Sequence, residues 1–169
     1  MLEFLYSELS IKIIYGFGFM FFTLLVASIS DIKMMFIKKS FMYMWIVFAV
    51  VMFLYEYTSQ ISWIKWILIV SFGLLSWRGI GKIFSLARAD VIAIAAVSSL
   101  LTVPQLLLFY VILILVNKVI LYPIALLNKM RYPFIPVIWI SLTFLIIILG
   151  VLNWNFMEII DNLFSLLKL

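Results

Sequence analysis

Read for hydrophobic and polar positions, the chain is a series of long apolar runs broken by short polar clusters. The runs cover Ile13 to Ser30, Phe41 to Thr58, Ile61 to Trp77, Phe84 to Val103, Gln105 to Tyr122 and Pro136 to Leu152. An α-helix needs roughly 20 apolar residues to cross a hydrocarbon core, and fewer where its flanking residues snorkel. The pattern therefore predicts an all-α, polytopic membrane protein with about six transmembrane helices. Pro104 alone separates the fourth run from the fifth, which predicts a tight hairpin. Residues 1–169 are read as a single transmembrane domain with no separate soluble domain.

The charges between the runs predict an orientation. Lys33, Lys38 and Lys39 follow the first run, Arg78, Lys82 and Arg88 the third, and Lys129 and Arg131 the fifth, with Lys118 near the same end. The opposite side has Lys12, Lys65 and Lys168 as its bases and holds Glu3, Glu8, Glu56, Glu158 and Asp161. Basic loops stay in the cytoplasm, so both termini are expected outside and the protein is expected to be multi-pass in the cytoplasmic membrane. Trp63, Trp66 and Trp154 fall near outer ends, and Trp77, Trp45 and Trp139 toward inner ends, as an interfacial belt would have them. Glu3 and Glu8 precede the first run, which favours a retained helix over a cleaved signal peptide. The tail from Asn153 has apolar residues at helical spacing and is expected along the outer interface.

Composition adds mainly exclusions. Hydrophobic residues make up 68% of the chain and charged residues 11%, and the mean hydropathy is +1.32. The net charge of +5 is absorbed by topology and contact with anionic membrane lipids, and no basic, aromatic-interleaved module points to nucleic acid. Cysteine and histidine are both absent, so disulfides, thiolate nucleophiles, Cys/His zinc sites and imidazole chemistry are ruled out. No metal site or cofactor is expected. The glycines of "GFG" (Gly16, Gly18) and "GIG" (Gly79, Gly81) lack the context of phosphate loops; the first pair suits close helix packing and the second a flexible loop.

Two acids stand on the basic side. Asp31 closes the first run, and Asp90 lies about two turns into the fourth if that helix starts near Phe84. Taken singly, each has a structural reading: Asp31 as a helix-terminal residue paired with Lys33, Asp90 as a first-turn carboxylate paired with Arg88. Taken together, at matching depth on one side, they suggest a functional pair, because ionisable groups at the edge of a span are costly. Two adjacent carboxyls do not both ionise easily, so one can hold a proton while the other activates water. That chemistry needs no histidine, cysteine or metal.

The surrounding residues resemble a known family. "SISDIKMMFIKKSFMYMW" is similar to the first active-site segment of archaeal-type prepilin and preflagellin peptidases. "ARADVIAIAAVSSLLTVP" resembles their second, GxGD-type segment, and "MRYPFIPVIWI" the Pro-Phe-x-Pro element that opens their last helix. The resemblance covers nearly the whole length. It implies a membrane aspartic endopeptidase, with Asp31 and Asp90 as the catalytic pair and Ala87, Arg88 and Ala89 as motif positions beside the second. It further implies partners of prepilin or preflagellin type, cut at the cytoplasmic face just before their hydrophobic helix, and an archaeal-like cell. An N-methyltransferase activity, which bacterial relatives add with a cysteine-bearing domain, is not expected. The departures are Ala87 at the first glycine position, where a methyl group would oppose a positive φ, Ile92 in place of a lysine, and the missing Ile-Pro-Asn after the first aspartate.

Two other readings remain at this level. One is a small transporter with the acids as a proton relay, although the two halves show no convincing repeat. The other is a non-catalytic scaffold descended from the peptidase. Oligomeric state has no sequence signature here.

Overall fold

The computed structural model describes residues 2–34, 37–59, 61–77, 86–121 and 133–149. Among them the chain is all-helical, with α1 (Leu2–Met34), α2 (Lys39–Ser59), α3 (Trp63–Ser76), α4 (Arg88–Leu100) and α5 (Val103–Leu115). A π-helical turn, Val116–Leu121, continues α5, and α6 covers Ile135–Leu149. Two helices, through Tyr15–Met34 and Lys39–Thr58, are long and apolar enough to cross a membrane. α3 and α4 are shorter, with 14 and 13 residues, or about 20 Å each at 1.5 Å per residue.

α4 occupies the centre, packed against α1, α2 and α3. Its composition explains the position. Ala93 and Ala96 are fully buried, and small side chains let neighbouring backbones approach closely. Where α1 passes the far end of α4, a Cβ on Gly16 would come within 2.5 Å of Leu100 Cδ2, so a larger residue here would have to displace the Leu100 side chain. Gly18, expected to serve the same purpose, faces open space; Gly79 and Gly81 lie outside the described residues. α6 supplies the other half of the core through Ile135, Val137, Ile138, Leu142 and Leu145, all fully buried.

α2 is the reverse case. Tyr43, Ile46, Val47, Val50 and Leu54 are exposed, and Trp45 is its buried anchor. An apolar face of this extent suits hydrocarbon rather than water. Trp45 departs from the expected interfacial belt: it is fully buried, with its indole N–H donating to Thr23 Oγ1 on α1 at 3.2 Å. Phe19 and Phe48 stack beside it at 5.0 Å. Trp63 remains exposed at the start of α3. Trp154, Glu158, Asp161 and the rest of the tail lie outside the described residues, as do Arg78, Lys82, Lys129 and Arg131.

Where α2 turns into α3, an ion pair between a buried lysine and a half-buried glutamate ties three helices together. Lys65 is 3% exposed and pairs with Glu56 on α2, while its ammonium also donates to the Ser99 carbonyl of α4 at 2.6 Å. The Trp66 indole donates to the second Glu56 oxygen at 2.9 Å. A cation at a helix C-terminus is favoured by the helix dipole, and the carboxylate compensates its burial. Both members of the pair were expected on the acidic side, but their burial was not foreseen.

Candidate active site

At the opposite end of α4, its first turn meets the last turn of α1. α1 continues through Asp31 to Met34, so Asp31 is inside the helix rather than just past it. α4 starts at Arg88, preceded by the extended Ala87. Asp90 therefore sits in the first turn and not two turns in, because Leu86 and Ala87 before it are not helical. Both aspartates are 7% exposed, and Asp90 lies within electrostatic range of Asp31. The two acids expected to act together are thus brought together.

Each carboxylate is held by backbone amides. Asp90 Oδ2 accepts from the Ala87 N–H at 3.2 Å, which forms half of a capping box; alanine has no side-chain acceptor to complete it. Asp31 stands at the C-terminal end of its own helix, where the dipole disfavours negative charge. The start of α6 offsets this. Ile135 N–H donates to Asp31 Oδ2 at 3.3 Å, and the Phe134 amide is a second donor to the same carboxylate.

The "PFIP" sequence accounts for that arrangement. Pro133 and Pro136 carry no N–H, so Phe134 and Ile135 hold the two amides available in this segment. Pro136 suits the first turn of α6 because an N–H there would have no intrahelical acceptor. The Phe134 carbonyl starts the helix by accepting from Val137 at 3.0 Å and Ile138 at 3.3 Å. Both free donors are left for Asp31.

The remaining motif positions are placed as follows. Ala87 has φ −70° and ψ 161°, extended backbone open to any residue, so nothing at this position requires glycine. Ala89 is half-buried on the first turn. The Arg88 guanidinium lies 5.7 Å from the Trp77 ring centroid instead of pairing with Asp90, and Lys33 is exposed and does not pair with Asp31. The Leu86 N–H donates to the Ser76 carbonyl at 2.9 Å, pinning the strand-like entry of α4 to the end of α3. Among the described residues no group of three acidic, histidine or cysteine side chains could hold a metal ion.

Sequence reasoning missed the amides of Phe134 and Ile135, although it singled out the prolines that frame them. It also passed over three polar groups on the helices that carry or flank the pair, Ser28 Oγ, Ser76 Oγ and Trp139 Nε1, all buried and without a hydrogen-bond partner among the described residues. Periodicity could have flagged Ser28, one turn before Asp31 on the same helix face. No family model matches the chain, and no curated protein or solved structure is similar to it.

Proposed function

We propose that the chain is a multi-pass aspartic endopeptidase of the cytoplasmic membrane that removes short leaders from prepilin-like or preflagellin precursors at the inner face. One observation carries this reading: two buried carboxylates from α1 and α4 lie within electrostatic range of one another, each held by backbone amides and neither neutralised by the base beside it. The exposed bases Lys33, Lys38, Lys39 and Arg88 gather at the same end, which supports a cytoplasmic placement.

In the proposed reaction the ionised carboxylate takes a proton from water as the water oxygen adds to the scissile carbonyl carbon. The protonated partner gives its proton to the carbonyl oxygen. On collapse, a hydroxyl proton of the tetrahedral diol returns to that partner, the first aspartic acid protonates the leaving nitrogen, and the C–N bond breaks. The pair ends in its starting protonation state, with no covalent intermediate. Which aspartate begins as the base belongs to the pair's coupled titration.

The transporter reading loses support on α4 itself. From Val91 to Val97 its side chains are all apolar, so about 12 Å of helix separates Asp90 from Ser98 without a side-chain proton carrier on α4. The scaffold reading loses the argument from Ala87, whose backbone geometry alanine adopts without strain.

The test is cleavage of a prepilin-type precursor by purified protein, alongside Asp31→Asn and Asp90→Asn. Each variant is expected to lose at least about a hundredfold in kcat/KM. Full activity in either one would rule out the dyad.

A further inference from the structure

Most helical hydroxyls in this fold satisfy themselves on their own helix. Thr23 donates to the Phe19 carbonyl at 2.9 Å, Ser99 to Ala96 at 2.7 Å, Ser141 to Val137 at 2.7 Å and Thr143 to Trp139 at 2.9 Å. The indoles of Trp45 and Trp66 likewise have acceptors. Against that background Ser28 Oγ, Ser76 Oγ and Trp139 Nε1 stand out, buried and without a partner among the described residues. Ser28 is 6% exposed and Ser76 1%. An unsatisfied buried polar group is costly, and most such groups in native proteins have a partner or a purpose.

Their placement is not scattered. Ser28 precedes Asp31 by three residues on α1, which puts both side chains on one helix face. Trp139 follows Ile135 by four residues on α6, again on one face, and Ile135 is the residue whose amide holds Asp31. Ser76 binds Leu86 through its carbonyl, and the next residue, Ala87, gives its amide to Asp90. Ser28 is thus one turn from Asp31, Trp139 one turn from the residue whose amide holds Asp31, with its ring against Phe21 further along α1, and Ser76 two backbone hydrogen bonds from Asp90 by way of Leu86 and Ala87. Two lie on the Asp31 side and one on the Asp90 side.

We infer that Ser28, Trp139 and Ser76 form a binding site for extended peptide backbone on either side of the scissile bond. This rests on the peptidase reading and assigns that site residues not otherwise given a role. A peptide bond is reached by the dyad only where the substrate is unwound, and unwinding in an apolar setting leaves each amide and carbonyl without a partner. The inventory matches that need. A serine hydroxyl both donates and accepts, so it can serve a peptide N–H or C=O, while the indole N–H donates to a carbonyl. None of the three carries charge, so the site reads backbone rather than leader side chains.

The probe is a prepilin-type peptide whose scissile amide is replaced by a hydroxyethylene isostere, used against wild type, Ser28→Ala, Ser76→Ala and Trp139→Phe. Binding is measured instead of turnover, together with the thermal midpoint. Each serine variant is expected to weaken binding about tenfold, the size of one lost hydrogen bond in a dry site, with a midpoint equal to or above that of wild type. A second series methylates the backbone nitrogens flanking the isostere. Methylation at the nitrogen that meets a given serine is expected to weaken wild type and leave the matching alanine variant unchanged. Equal affinities across the four proteins would overturn the inference, as would serine variants that lose stability, since their hydroxyls would then have structural partners. Wild type that binds the isostere but leaves the precursor intact would overturn the peptidase reading alone. Absence of isostere binding to wild type would overturn both.

Discussion

The backbone amide of Ile135 donates to Oδ2 of Asp31 over 3.3 Å, joining residues 104 positions apart in the chain. Two substitutions at Ile135 separate this bond from packing. Ile135→Ala keeps the N–H and removes a fully buried side chain, so it should lower stability by about 2–4 kcal/mol and leave kcat near wild type. Ile135→Pro removes the donor at a helix position that tolerates proline, and should reduce kcat at least about tenfold beyond the alanine variant. Denaturation midpoints and single-turnover cleavage of both proteins decide the point.

Asp90→Asn retains a carbonyl oxygen for the Ala87 N–H while removing one of two buried carboxylates within electrostatic range of each other. Its thermal midpoint should match or exceed that of wild type even as cleavage is lost. A large drop in the midpoint would mean that the ionised form is a structural requirement of this corner.

Lys65→Met should destabilise the fold by about 1–3 kcal/mol, because Glu56 is left as a half-buried carboxylate without its cation. Adding Glu56→Gln removes that charge and keeps an acceptor for the Trp66 indole. The double variant should therefore recover most of the loss, as read by thermal unfolding in detergent.

Ala87→Gly tests the position where the chain departs from the GxGD pattern. With φ −70° and ψ 161° already accessible to alanine, glycine relieves no strain. Its slightly better N-capping and its greater freedom in the unfolded chain oppose one another, leaving stability within about 1 kcal/mol of wild type. Cleavage should be unchanged; a large gain would show that the methyl group obstructs the site.

Hydropathy made the helices and the shared end of Asp31 and Asp90 legible, because apolar length and charge placement follow from one-dimensional rules. The start of α4 was not. In "FSLARAD" the cap position falls to Ala87, which has no hydroxyl, and the extended backbone there shows only in its dihedrals and in the Leu86 hydrogen bond to Ser76. Trp45 read as interfacial because aromatic residues near span ends usually are, yet the acceptor that draws it inward is Thr23, on another helix. The Glu56 and Lys65 pair was hidden for a similar reason. Nine residues apart around a turn, the two share no helical period. The amides that hold Asp31 belong to the backbone, on which hydropathy is silent; the two prolines were the visible trace.

The 13 residues of α4 have a consequence beyond packing. At about 20 Å the helix falls short of a hydrocarbon core roughly 30 Å thick. Its neighbours are α1, α2 and α3 and not lipid, so the shortfall is taken up inside the protein, where the longer helices carry the hydrocarbon thickness. In a bilayer, the mouth of so short a helix then lies below the level of the headgroups, and the proposed cut beside Asp90 would be made beneath the membrane surface.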